Sequence, residues 1–300
     1  MQGSAAPLSI AAGVFWALFT AAIWSASPAL TRFSVIRTIN PEDLVAFRYA
    51  IGGVILLPIL IGQAVRIPAA GWREGWVLAL FQGWPPALLV GMGVRLAPAS
   101  HMAALSLGLM PLFASMLSLL FLHERLSASR GIGVALISVG ALVIVAVSVS
   151  GASADFWIGD LMFIVASFMG SAYTVRMRRC GLSAIQGAAL ISVYSMIVYL
   201  PLYFWFWFPA SRLAETPPRE VLFQAAFQGI LMGVVTLFSL SRAVVILGAA
   251  RTAAFLSLVP VLGALFGAVV LHEIPSAAET VAVTVISLGV LLAAGAWQRA

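Results

Sequence analysis

Ten long stretches of this 300-residue chain contain no Asp, Glu, Lys, Arg or His: 1–31, 49–65, 75–94, 102–122, 131–154, 161–175, 180–211, 221–241, 252–271 and 280–298. A hydrocarbon core about 30 Å thick is crossed by about 20 helical residues at a rise of about 1.5 Å each. Eight windows are long enough as they stand. The two short ones, 49–65 and 161–175, become spans by borrowing flanking residues, so the second is expected to start near Leu44, carrying Arg48 with it, and the sixth near Ile158. Backbone polar groups must be paired inside lipid, which leaves helices or a closed barrel. Barrel strands would be about ten residues long with polar alternation, and none is visible. The longest connection is expected at 209–220, which holds Pro209, Pro217 and Pro218.

Composition removes the other classes. Hydrophobic residues make up 62% of the chain and charged residues 9%, against about a quarter charged in a soluble domain. Disordered chains are charge-rich and apolar-poor, the reverse of this one. The net charge of +6 comes from sixteen Arg and no Lys. These punctuate the apolar runs instead of forming a basic patch, so no nucleic-acid partner is expected. Cys180 is the sole cysteine, which excludes an intrachain disulfide and a thiolate metal site. The first apolar run has no Lys or Arg before it, unlike a cleaved signal peptide, and is read as a retained span.

With ten spans and the N-terminus inside, the inner loops and tail hold Arg66, Arg73, Arg125, Arg130, Arg176, Arg178, Arg179, Arg242, Arg251 and Arg299. The outer loops hold Arg32, Arg37, Arg95, Arg212 and Arg219. The excess of inner arginines places both termini in the cytoplasm, in a bacterial-type inner membrane.

The chain also repeats itself. At an offset of 149, Leu107 falls on Leu256, Pro111 on Pro260, His123-Glu124 on His272-Glu273, and Ile137-Ser138-Val139-Gly140 on Ile286-Ser287-Leu288-Gly289. With a small drift in offset, Leu57-Pro58 matches Leu200-Pro201, and Gly13 with Ser25-Ala26 matches Gly159 with Ser171-Ala172. Each copy, 9–148 and 156–297, carries five spans. Five is odd, so the second copy lies upside down relative to the first. Opposed halves of this kind recur in secondary transporters, with the site near the midplane between them.

This doubled pattern, a central Pro followed by an apolar run ending in His-Glu and then a Gly-containing span, resembles the EamA branch of the drug/metabolite transporter superfamily over residues 9–297. The resemblance implies an all-α integral membrane fold, ten transmembrane helices as two inverted five-helix repeats around a central cavity. Helices 1–4 and 6–9 would wall that cavity, and the activity would be export of amino acids or other small metabolites.

Several residues invite a role in such a cavity, each beside a plainer one. Trp24, Trp84 and Tyr173 lie near mid-span, where a ring either stacks on a solute or packs against lipid and neighbours. Trp16 is a further aromatic, and the run Tyr203–Phe208 reads as an interfacial belt. Gln82, Ser106, Gln228, Thr236 and Ser239 carry amides and hydroxyls that either hold a zwitterion or bond helix to helix. Arg48 either attracts a carboxylate or snorkels to the interface. Prolines recur inside spans at Pro28, Pro58, Pro85-Pro86, Pro111, Pro201 and Pro260; each frees a carbonyl. Pro28 and the repeat-related pair Pro111 and Pro260 are the candidate hinges.

Other features read as structural. No Asp or Glu falls inside a long window, and His101 and Asp160, the nearest titratable candidates, are expected at interfaces, which favours uncoupled or weakly coupled export. A membrane-embedded enzyme would need these two in a deep polar cleft. Adjacent His-Glu pairs lack zinc-protease spacing and fall on opposite faces, so neither a metal nor a cofactor is expected, and each Glu is expected to cap or pair near the start of the next helix. Gly229-xxx-Gly233 and Gly263-xxx-Gly267 allow close helix approach, within a monomer in the favoured reading or at a dimer face. The chain therefore reads as a non-enzymatic transporter of small solutes, foremost neutral or aromatic amino acids. Another metabolite, a drug-like solute and a passive channel are the alternatives.

Overall fold

A computed structural model describes residues 10–123, 126–150 and 155–294. Glu124 of the first His-Glu pair, and Arg125 and Arg299 of the expected inner loops and tail, lie outside the described residues. Nine helices are long and apolar enough to cross a membrane: α1 Ile10–Val35, α2 Pro41–Arg66, α3 Ala69–Leu96, α4 Ala99–Phe121, α5 Ala128–Ser150, α6 Phe156–Met177, α7 Ala184–Ala210, α8 Pro218–Leu247 and α9 Arg251–Leu271. A shorter apolar helix, α10 Ala277–Ala293, completes the set among the described residues. Successive spans alternate in direction, so one membrane face carries the start of α1 and the other its end; they are called here the near and far faces.

Local chemistry moves the helix starts outward from the charge-free windows. The second span begins at Pro41, not near Leu44, because Pro is pre-set for a first turn and Asp43 accepts a bond from the Asn40 backbone N–H at 3.1 Å. The sixth begins at Phe156, ahead of Ile158. The longest expected connection shrinks to 211–217, because Pro209 continues α7 and Pro218 opens α8. Ser183 with Gln186, and Ser276 with Glu279, form reciprocal caps at the starts of α7 and α10.

The repeat is visible in the breaks. α4 turns at Gly108–Leu109 and resumes at Met110; α9 turns at the corresponding Ser257–Leu258 and resumes at Val259. Pro111 and Pro260 sit second in the resumed segments, where a missing N–H costs no hydrogen bond. Both segments end on a left-handed residue, His123 (φ 53°) and His272 (φ 58°).

The repeats meet through glycine. A Cβ on Gly133 of α5 would lie 2.6 Å from the Gly289 carbonyl oxygen of α10, and one on Gly140 would lie 2.8 Å from that of Ala282. The offset of 149 carries Gly133 onto Ala282 and Gly140 onto Gly289, so the two contacts exchange under the pseudo-twofold, as an inverted repeat requires. The other glycine pairs also pack inside the monomer: Gly229 and Gly233 approach Ile51 and the Arg48 carbonyl of α2, while Gly263 and Gly267 approach Ala103 and Ala99 of α4.

Candidate functional site

Two adjoining cavities lie between the repeats. The first, about 210 Å³, has Trp24, Ser27, Arg48, Gln82, Ser106 and Thr236 in its wall, together with apolar groups of α3, α4, α6 and α8. The second, about 310 Å³, is lined by Pro111, Ala114, Thr174, Ala253, Leu256 and Pro260 among others. Trp24, Leu107 and Met110 border both. Thr174 lies near the end of α6 and Ala253 near the start of α9, so this second space reaches toward the near face.

Polar links join the spans across the far half. Arg32 of α1 donates to Glu273, just past α9, and to the carbonyls of Val94 (2.5 Å) and Ala97 (2.7 Å) at the end of α3. Glu273 also accepts from the backbone N–H of Ala99 at the start of α4 (3.1 Å), a helix start in the other repeat and not that of the helix that follows it. Tyr203 and Ser211 donate to Asp43 at 2.6 and 2.8 Å, and Thr38 to Glu220 at 2.6 Å. Gln224 of α8 donates to the Leu30 carbonyl and to Ser34, each at 2.9 Å.

His101 and Asp160 stand within the first turns of α4 and α6. Each is 1% exposed, enclosed by neighbouring spans. His101 Nδ1 lies 2.9 Å from Asp160, its Nε2 lies 2.7 Å from Glu279, and Ser148 donates to Asp160 at 2.5 Å. The cluster ties α4, α5, α6 and α10 together, and an imidazole flanked by two carboxylates satisfies both of its nitrogens. None of the four residues lines either cavity.

Arg48 sits about two turns into α2, and instead of reaching for the membrane surface its Nη2 donates to Gln228 Oε1 of α8. Gln228 in turn donates to Thr31 of α1 at 3.0 Å. A relay from three helices thus positions one guanidinium at the cavity wall. Ser239 bonds Thr20 at 2.8 Å, joining α8 to α1. Trp84 packs 5.6 Å from Tyr199 behind the break at Gly83, and Tyr173 packs in the apolar cluster around Leu190 and Tyr194; neither borders the two cavities. Pro28 is buried, with its ring 3.8 Å from the position of a Cβ on Gly263. Sequence reasoning missed Tyr49, Met110 and Met232 in the cavity wall and Glu279 beside His101. The Ser276-x-x-Glu279 spacing is a capping signal that could have marked a helix start, but nothing local marks what else that glutamate reaches.

Two opposed sets of membrane helices enclosing a solute-sized space define a multi-pass membrane transporter. The model of the EamA-like transporter family matches residues 11–146 and 157–295, and the chain belongs to that family. A solved crystal structure 20% identical to it covers 95% of this chain and 97% of its own, with a TM-score of 0.61, and shares the fold. Among curated proteins none matches.

Proposed function

We propose that the protein is a secondary transporter that exports small metabolites, foremost neutral and aromatic amino acids, by alternating access and without covalent chemistry. The observation that carries this reading is the pair of adjoining cavities, apolar and bordered by Trp24, with one guanidinium and a few amides and hydroxyls in the wall. A ring offers stacking to an apolar side chain, and Arg48 offers a carboxylate two N–H donors in fixed geometry. The halves 9–148 and 156–297 rock against one another about the segments led by Pro111 and Pro260. With both termini in the cytoplasm of a bacterial-type inner membrane, the second cavity reaches toward the cytoplasm and the polar links at the far face hold the outside closed.

The test is purified protein in liposomes preloaded with a mixture of amino acids, release of each being followed by mass spectrometry. Saturable release of Phe, Trp or other neutral amino acids, absent from protein-free liposomes, is expected. Unsaturable leak of every solute would mean a channel. No release from folded protein would remove the amino-acid assignment.

A further inference from the structure

The charge balance of the cavity narrows the solute beyond an amino acid. Arg48 is the one charged residue in the wall of either cavity among the described residues. It forms no ion pair among them; its Nη2 is held by Gln228, and its Nε is buried with no partner. The acid nearest to it on α2, Asp43, is occupied by Tyr203, Ser211 and the Asn40 N–H. A guanidinium part-buried among the spans without a counter-charge is disfavoured, and an arriving anion relieves that cost. Nothing comparable awaits an ammonium, because the wall offers it only the Gln82 carbonyl oxygen and hydroxyls such as those of Ser27 and Ser106.

We infer that the site selects a monoanionic organic carboxylate with an apolar or aromatic body, and that an amino group is not required. The carboxylate lies at Arg48, and the body extends past Trp24 into the apolar second cavity. A single arginine matches a single carboxylate, and bare cations are rejected by the same charge. This inference rests on the transporter reading above and replaces its amino acid with the wider class of carboxylates, 2-oxo and aryl acids included.

The experiment compares phenylalanine, phenylpyruvate and phenylalaninamide, which carry both charged groups, the carboxylate alone and the ammonium alone. Binding to the purified full chain is followed by tryptophan fluorescence, and release of the first two from liposomes by mass spectrometry. Phenylpyruvate is expected to bind at least as tightly as phenylalanine, and the amide at least tenfold more weakly. Arg48→Gln should lose tenfold or more for both carboxylates, and Arg48→Lys should lose less. The comparison on the unaltered protein does not depend on the folding of either variant. If the amide binds as well as phenylalanine, or phenylalanine is moved and phenylpyruvate is not, the carboxylate inference falls while the amino-acid transporter stands. If phenylpyruvate is moved and phenylalanine is not, the inference holds and the amino-acid assignment falls. If folded protein neither binds nor moves any of the three, both fall.

Discussion

The backbones of Gly133 and Gly289 touch across the repeat interface: a Cβ built on either would sit 2.6 to 2.7 Å from the carbonyl oxygen of the other. The neighbouring atoms are main chain, which cannot swing aside as a flexible side chain can. Gly133→Ala should therefore destabilise the protein by about 2 kcal/mol, in the range of overpacked cores. Gly131→Ala, two residues earlier where a Cβ meets nothing within 4 Å, should be neutral or slightly stabilising through helix propensity. Thermal melts of the two variants followed by size-exclusion chromatography decide it, and equal melting temperatures would show that the interface yields.

Arg32 and Glu273 link α1 to the end of α9 at the far face. Glu273→Gln removes the charge pair and leaves Arg32 with two backbone carbonyls, which should shift the population toward a far-open form. In a Cys180→Ala background, a cysteine placed by Val94→Cys, at a fully buried position, should react severalfold faster with a membrane-impermeant maleimide when Glu273→Gln is present. Unchanged labelling would mean that the other far-face links suffice.

His101 is the hub of four spans. Its removal by His101→Ala leaves the buried Asp160 with Ser148 and the part-buried Glu279 with the Ser276 N–H, and breaking a buried pair in this way costs about 3–5 kcal/mol. The expected outcome is a steep loss of monodisperse protein on heating. A melt matching the unaltered protein would show that the two carboxylates find other partners or water.

Trp24 stands between the two cavities. Trp24→Ala joins them into one larger space and removes an aromatic face, so half-saturation for an aromatic solute should rise about tenfold, matching about 1.4 kcal/mol of lost stacking and packing. Transport in liposomes measures this directly, and an unchanged half-saturation would place the solute's ring elsewhere.

Much of the architecture was legible without coordinates. Charge-free windows located the spans because lipid excludes charge, and Pro111, Pro260 and the two His-Glu pairs disclosed a doubled unit whose odd span number forces inversion. Helix ends were less legible, since a start is set by capping groups such as Asn40 with Asp43 and not by where charge runs out. Trp24, Arg48, Gln82, Ser106 and Thr236 were legible as polar or aromatic groups inside spans, and these the fold gathers into one cavity wall.

What the sequence could not carry were partnerships across large separations. Arg32 and Glu273 lie 241 positions apart, and His101 and Glu279 lie 178 apart. Trp84 and Tyr173 have the same local signature as Trp24 yet face packed neighbours, because the rotation of a helix is settled by what packs against it. Spans and inversion follow from the solvent that the chain must satisfy, which any stretch of residues feels by itself. Which side chains share a cavity, and which part-buried charge is left without a counter-ion, is decided only when the helices have chosen their neighbours.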